Sequence, residues 1–169
     1  QSNGSLLANS LTVLADFLAK SADHQIEAVV LYQEAVRTWQ ALEDKDARIY
    51  QPKLAASLDR LANLLALSKD RAQEAESSYQ QALQLWQAWS KQDEIASSAN
   101  NLANLLTSLP ARQTEAEALY QQAVQIWRSL AASDASTYTS SLADGLTNLA
   151  NLVASLPDRN LEAQALFQE

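Results

Sequence analysis

One short residue pattern recurs along the chain with a polar side chain at a fixed place. Asparagine follows Leu-Ala three times, at Asn63, Asn104 and Asn151, and Asp16 stands at the matching place near the start of the sequence. A side-chain amide offers both donors and an acceptor, so it can pair with the backbone of an extended peptide. Asparagine is a mediocre helix former, because its amide competes for backbone hydrogen bonds. Three such residues in helical segments therefore need an explanation.

Two explanations of this asparagine ladder stay open. In the first, the amides bind the main chain of a peptide without demanding much of its sequence. In the second, they form hydrogen bonds to a neighbouring helix and set the angle at which helices stack. The polar positions beside the ladder belong to the same face. The candidate peptide-binding residues are Asp16, Arg60, Asn63, Asn100, Asn101, Asn104, Asn148 and Asn151.

The residue types on which most enzyme mechanisms depend are scarce. The single histidine, His24, lies in a polar turn, and the chain has no cysteine. A Ser-His-Asp or Cys-His arrangement cannot be assembled, and metal ligation would have to rest on carboxylates alone. The two glycines, Gly4 and Gly145, cannot form a phosphate-cradling loop. We therefore predict no catalytic residue, no metal site and no cofactor, and we predict that the chain is not an enzyme.

The candidate residues belong to two unlike helical segments that alternate along the chain. The first, helix A, reads SLTVLADFL at Ser10, SLDRLANLL at Ser57, SANNLANLL at Ser98 and GLTNLANLV at Gly145. The second, helix B, begins with Glu-Ala at Glu27, Glu74, Glu115 and Glu162. Self-similarity at a period of about 20 to 50 residues is typical of a stacked array of repeats.

Both helices carry an apolar stripe at helical spacing. The helix A sets are Leu11, Leu14, Ala15, Leu18; Leu58, Leu61, Ala62, Leu65; Ala99, Leu102, Ala103, Leu106; and Leu146, Leu149, Ala150, Val153. The helix B sets are Ala28, Tyr32, Ala35, Trp39; Ala75, Tyr79, Ala82, Trp86; Ala116, Tyr120, Ala123, Trp127; and Ala163, Phe167. Alanine lets two helix backbones approach while the ring fills the space beside it, so we interpret these tyrosines and tryptophans as core.

Turn chemistry separates the helices. Within each pair, SKDRAQ, SLPARQ and SLPDRN, which start at Ser68, Ser108 and Ser155, predict short turns. Between pairs, EDKDARIYQPK and AASDASTYTSS predict two long connections. Each contains a tyrosine, Tyr50 or Tyr138, for which we predict a packing role under the connection.

Composition limits the partners and the location. The chain has 169 residues, of which 47% are hydrophobic, and it is rich in residues that favour helices. The formal net charge of -8 argues against nucleic acid and against anionic membrane surfaces as partners. No apolar run approaches the roughly 20 residues that cross a bilayer, and no signal peptide opens the chain. We predict a cytoplasmic protein.

The stripes resemble the tetratricopeptide repeat, a helix-turn-helix unit that stacks into a superhelix. Leu58, Leu61, Ala62 and Leu65 match its helix A pattern, and Ala75, Tyr79 and Ala82 match helix B. NNLANLL, EAEALYQQAVQI and YQPKLAASL are closest to the kinesin-light-chain-like branch and to bacterial long-period arrays. The resemblance implies an all-α, right-handed superhelix, a solenoid of about four repeats with the last truncated. It would be one array over residues 1–169, with repeats at about 5–47, 51–92, 93–133 and 138–169.

The resemblance also implies a function. In such superhelices helix A lines the concave groove, and asparagine ladders in some members bind peptide main chain. We therefore predict a non-enzymatic interaction scaffold that binds a protein or peptide partner, or a segment of its own parent chain. Arg60 is the only basic side chain at the central groove positions, so a dedicated carboxylate clamp is not expected.

An alternative role rests on the ends of the array. The chain starts without methionine and stops inside a helical pattern, so we expect it to be part of a longer protein. It would then be a structural spacer or self-association module of a larger bacterial signalling protein, whose effector domain lies outside these residues. In either case we predict a monomer, or weak self-association through the solenoid ends.

Overall fold

The chain is all-α, as predicted. The computed structural model describes residues 3–168, and no strand occurs in that range. No helix in it is long and apolar enough to span a membrane. The helices are α1 (Asn3–Leu18), α2 (Gln25–Glu43), α3 (Ala47–Leu65), α4 (Ala72–Ala88), α5 (Gln92–Thr107), α6 (Gln113–Ser133), α7 (Ala135–Ser155) and α8 (Asn160–Gln168). The odd-numbered helices contain the helix A segments and the even-numbered ones the helix B segments.

The helices form two compact units. The first unit ends at Trp89 and contains α1 to α4, and the second unit begins at Ser90 and contains α5 to α8. In each unit every helix packs against the one that follows it, so each unit holds two A/B pairs. This helical repeat architecture confirms the predicted fold class. The division into four repeats within one array over residues 1–169 stays a prediction.

The core of both units follows the predicted alternation of alanine and aromatic residues. The stripe alanines of α2, α4 and α6 are completely buried. The six aromatic residues predicted as core are at most 5% exposed, and they are Tyr32, Tyr79, Tyr120, Trp39, Trp86 and Trp127. Burial of one such ring removes roughly 150 to 250 Å² from water, which stabilises the fold by several kcal/mol at about 25 cal/mol per Å².

The indole nitrogens of the three core tryptophans differ in their partners. Trp86 Nε1 donates to Asp59 at 2.7 Å, and Trp127 Nε1 donates to Asp93 at 2.9 Å. Trp39 Nε1 has no hydrogen-bond partner within the described residues, although it is buried. Trp89, for which the sequence left two interpretations, is half-buried and donates to a side chain of α3.

The apolar stripe of α1 departs from the prediction. Leu14 is 48% exposed, whereas the equivalent Leu61 of α3 and Leu149 of α7 are 5% and 4% exposed. The reason is the number of neighbours. The helix α3 packs against α2 and α4, and α7 packs against α6 and α8, whereas the one extensive helix contact of α1 in its unit is with α2. One side of the α1 stripe therefore faces outward.

The prediction of long connections between the pairs is wrong. The helix α3 begins at Ala47 and α7 begins at Ala135, so most of both segments is helical. Asp46 and Asp134 precede these helices, and their carboxylates accept hydrogen bonds from first-turn backbone N–H groups. Such caps satisfy groups that a helix leaves unpaired, and they favour an early start.

The two tyrosines of these segments lie in helices as well. Tyr50 stacks on Trp39 with ring centroids 5.9 Å apart, which confirms a packing role for this tyrosine. Tyr138 lies in the first turn of α7 and is half-buried. Both residues are helical, so neither lies under a long connection as predicted.

The predicted turns within the pairs are confirmed, and each is followed by the same ion pair. The residue just before a B helix bonds to the glutamate three positions later. These pairs are Arg71–Glu74 at 2.8 Å, Arg112–Glu115 at 2.7 Å and Arg159–Glu162 at 2.7 Å, and His24–Glu27 at 3.2 Å takes their place in the first pair. A negative charge in the first turn of a helix also interacts favourably with the helix dipole.

Candidate functional site

The candidate face of the first unit consists of Asp16 on α1 and of Arg60 and Asn63 on α3. The Asp16 carboxylate accepts a hydrogen bond from the hydroxyl of Tyr32 and lies 3.2 Å from Arg60 Nε. The structure thus brings two predicted ligand-binding residues together as an ion pair. Both side chains keep more than 40% of their surface exposed. Asn63 Oδ1 accepts a hydrogen bond from the hydroxyl of Tyr79 at 2.6 Å.

The second unit contains a similar pattern on α5 and α7. Asn104 Oδ1 accepts a hydrogen bond from the hydroxyl of Tyr120, and the Asn104 side chain is exposed. Asn148 Nδ2 donates to Asn100 Oδ1 at 3.0 Å, which links the two A helices of this unit. Asn100 is only 9% exposed, and it contacts Asn101 at 3.5 Å. Asn100 is therefore mainly an internal partner of its neighbours, while Asn104 lies at the surface.

Asn151 is the exception in the ladder. It lies on α7 and is exposed, and its side chain forms no hydrogen bond within residues 3–168. The aromatic residue at the place that tyrosine occupies in the other repeats is Phe167, which has no hydroxyl. The Asn151 amide is thus the one rung of the ladder that no tyrosine holds.

The three tyrosines are functional candidates that the sequence interpretation missed. It treated Tyr32, Tyr79 and Tyr120 as apolar core only, but each hydroxyl binds the ladder residue 16 positions earlier. That constant separation was visible in the sequence. The bonds fix the side-chain orientation of these ladder residues.

Burial makes these hydroxyls harder to ionise. It is the main cause that raises the pKa of Tyr32, Tyr79 and Tyr120 above the ordinary value for tyrosine. The carboxylate of Asp16 raises the pKa of Tyr32 further, and the charge of Asp59 does the same for Tyr79. A protonated phenol is a hydrogen-bond donor, so the ladder side chains present oxygen to it at neutral pH.

The face has no feature of a metal centre. No group of three or more His, Cys, Asp or Glu side chains converges anywhere in the described part of the chain. His24 is exposed and contacts Glu27. The arrangement therefore offers amide and carboxylate groups for hydrogen bonding along the A helices.

Comparison with a family model covers the middle of the chain. Residues 53–129 match the family model described as tetratricopeptide repeat. The match supports a tetratricopeptide repeat family for this chain. It includes Arg60, Asn63 and the candidate residues of α5, and it leaves out Asp16, Asn148 and Asn151. The kinesin-light-chain-like branch stays a prediction.

One solved structure agrees with this chain in fold. The structure described as "Crystal structure of BtubC (BKLC) from P. vanneervenii" matches with a TM-score of 0.75 and 20% identity, over 99% of this chain. The chain spans 60% of the length of that protein's chain. A structure described as "DHF119 filament" matches with a TM-score of 0.44 and 16% identity, over 98% of this chain and 92% of its own. No curated protein sequence matches.

The repeat family carries general expectations about function. Tetratricopeptide repeats in general mediate protein–protein interactions, and they are non-catalytic scaffolds. Nothing in the fold or in the comparisons points to an enzymatic activity.

Proposed function

We propose that the chain is an interaction scaffold whose A helices bind an extended segment of a partner protein. The observation that carries this proposal is the set of tyrosine-held ladder side chains, on α1 and α3 in the first unit and on α5 in the second. A side chain whose orientation is fixed in advance loses less conformational entropy on binding. A polypeptide in extended form has unpaired backbone groups that such a ladder can satisfy.

The ladder residues would contribute differently. Tyr120 takes the carbonyl oxygen of Asn104, so its amide hydrogens remain available to donate to a peptide carbonyl. Asn151 has no internal partner and can both donate and accept. In the first unit, the ion pair between Asp16 and Arg60 is half-exposed, so it contributes about 0 to 1 kcal/mol and is cheap to rearrange. This pair would favour partners with a charged side chain at the matching place.

The test separates binding from stability. A peptide selected against the protein from a random-peptide display library serves as the probe, and fluorescence anisotropy measures its affinity. We expect Asn151→Ala to weaken binding about tenfold with no change in the free energy of unfolding, because this amide has no internal partner. Asn104→Ala should weaken binding and also destabilise the fold by about 1 kcal/mol, because Tyr120 loses its acceptor.

The ladder has a purely structural role if Asn151→Ala leaves the peptide affinity unchanged. A matched control is Asn160→Ala, an exposed asparagine at the start of α8, outside the candidate face. This variant should bind the selected peptide as tightly as the wild type does.

A second candidate function is self-association through α1. Leu7, Leu14 and Phe17 are 48% to 69% exposed, although the matching positions of α3 and α7 are buried or half-buried. We expect Phe17→Lys to abolish any concentration-dependent association seen by sedimentation velocity. A wild-type chain that sediments as a monomer at every concentration would rule this function out.

A further inference from the structure

The first unit has an apolar notch away from the A-helix face. It lies where the start of α2, the end of α3 and the turn before α4 meet, and its volume is about 390 Å³. Ile26, Val29, Leu64 and Leu67 line it, and Arg71 stands among them. Ile26 is 81% exposed and Leu67 is 65% exposed, which is unusual for large apolar side chains.

The equivalent place in the second unit is filled by an ion pair. Arg159 corresponds to Arg71, and its guanidinium binds two carboxylates at once. The Nε and Nη2 atoms contact Glu162 at 2.9 and 2.7 Å. The Nη1 and Nη2 atoms contact Glu117 of α6 at 2.7 and 2.9 Å. Two bidentate contacts use the planar geometry of arginine fully.

The first unit lacks the second carboxylate. Arg71 contacts Glu74 through Nε at 3.0 Å and Nη2 at 2.8 Å, as Arg159 contacts Glu162. The residue that corresponds to Glu117 is Val29. Each lies two positions after the glutamate of the Glu-Ala pair in its helix. The outer edge of the Arg71 guanidinium, with Nη1, therefore forms no bond to a carboxylate in its own unit. Arg71 also stays about one-third exposed.

We propose that this notch binds a glutamate or aspartate side chain of a partner protein, flanked in the partner by leucine-sized aliphatic residues. The carboxylate would take the place that Glu117 has beside Arg159, and the aliphatic residues would cover Ile26 and Leu67. The second unit shows that this arginine position holds two carboxylates at once. The apolar walls exclude water around the pair, which strengthens the charge interaction.

The proposed partner segment is both acidic and aliphatic, because the notch combines an arginine with exposed aliphatic side chains. A carboxylate alone would leave Ile26 and Leu67 in water, and an aliphatic segment alone would leave the arginine edge unpaired. The volume of the notch suits a few side chains rather than a whole helix. This site is separate from the asparagine ladder, so either can fail without the other.

The experiment uses the full chain and fluorescein-labelled peptides with both ends blocked. One peptide carries a single glutamate between two leucines, and the second has glutamine in its place. We expect the glutamate peptide to bind about tenfold more tightly than the glutamine peptide. Arg71→Gln should remove this difference. Val29→Glu should weaken binding of the glutamate peptide about tenfold, because it supplies an internal carboxylate to Arg71.

Matched variants separate the site from general charge effects. Arg48→Gln removes an exposed arginine at the start of α3 and should leave both affinities unchanged. Val29→Gln adds bulk without charge and should block the glutamate peptide less than Val29→Glu does. Circular dichroism of each variant confirms that it is folded before its affinity is measured.

Three outcomes would overturn the proposal. The two peptides could bind equally, Arg71→Gln could leave their difference intact, or an unblocked peptide with only a C-terminal carboxylate could be the one that binds. The last result would assign the notch to chain ends instead of side chains. The variant Asn151→Ala should weaken binding of the peptide selected for the ladder. It should leave the affinities of the glutamate and glutamine peptides for the notch unchanged.

Discussion

The contact between Gly145 and Trp127 shows how closely the helices of the second unit approach. A Cβ atom added to Gly145 would lie 2.8 and 2.9 Å from two ring carbons of Trp127, well inside normal contact distance. Because Trp127 is fixed in the core, its ring cannot move aside without disturbing α6. Glycine at this place is therefore required by packing, although glycine weakens a helix in general.

We expect Gly145→Ala to destabilise the protein by about 1 to 3 kcal/mol, as overpacked cores do. The measurement is the free energy of unfolding from urea titration. Gly4→Ala is the matched control, because its added Cβ would be 3.4 Å from a flexible leucine side chain. That variant should be neutral or slightly more stable, since alanine favours helix. Equal effects of both substitutions would contradict the packing argument.

The burial of individual residues was largely predictable, but their polar contacts were not. The spacing of Tyr79 and Trp86 at helical intervals was enough to predict burial, because a regular apolar stripe must face the core. The bond from Tyr79 to Asn63 depends on how two helices pack, and a helical pattern by itself contains no such information. Likewise the Asp16–Arg60 pair joins two helices that are far apart in sequence.

The helix α8 is short and buries little of its own surface. It has nine residues, of which only Ala163 is buried. Isolated helices shorter than about 12 residues are marginal in water, so α8 needs contacts from outside itself. Arg159, which binds Glu117 of α6 and Glu162 of α8, supplies one of these contacts.

We expect Arg159→Gln to unfold α8 locally while the rest of the second unit stays folded. Hydrogen exchange followed by mass spectrometry should show loss of protection in residues 160–168 only. Arg37→Gln, which removes an exposed arginine from α2, should leave protection of α8 unchanged. If α8 exchanges at the same rate in both variants, Arg159 does not hold this helix in place.

The existence of the helices was predictable, but two of their starting points were not. Asp134 is followed by residues such as Thr137 and Tyr138, which favour helices only weakly, whereas Asp46 is followed by Ala47 and Arg48. The aspartate caps and the contacts with neighbouring helices outweigh that weakness. The spacing of the recurring patterns therefore predicted connections where caps and tertiary packing extend the helix.

The protein as a whole should lose stability in alkali. Tyr32, Tyr79 and Tyr120 have pKa values raised in the folded state, mainly by burial. Below about pH 10 all three are protonated in both states, and the stability that they contribute is fully present. As the pH rises further, tyrosines of the unfolded chain lose protons while those of the folded chain keep them, so the free energy of unfolding falls.

We expect urea titrations between pH 9 and about pH 11 to show this fall, with a shallower slope in Tyr79→Phe. The variant removes one titrating group and also loses the hydrogen bond to Asn63, which costs about 1 kcal/mol at neutral pH. Phe167 shows that the repeat accepts phenylalanine at this position. Identical slopes in the variant and the wild type would mean that Tyr79 ionises as freely when folded as when unfolded.

The class of fold was predictable from repetition alone, whereas the exposed side of α1 was not. The same stripe is buried on α3 and open on α1, since burial depends on a neighbouring helix and not on the stripe itself. The missing second carboxylate partner of Arg71 was also not predictable from the sequence. It becomes visible only when Val29 is compared in space with Glu117 of the second unit.

The unequal indole partners of Trp39, Trp86 and Trp127 have a spectroscopic consequence. Two of the indole protons point at carboxylates and one has no acceptor, so their nuclear magnetic resonance signals should be well separated. Trp39 and Trp86 belong to the first unit, and Trp127 belongs to the second. Three natural probes therefore allow the melting of each half of the chain to be followed separately, without any added label.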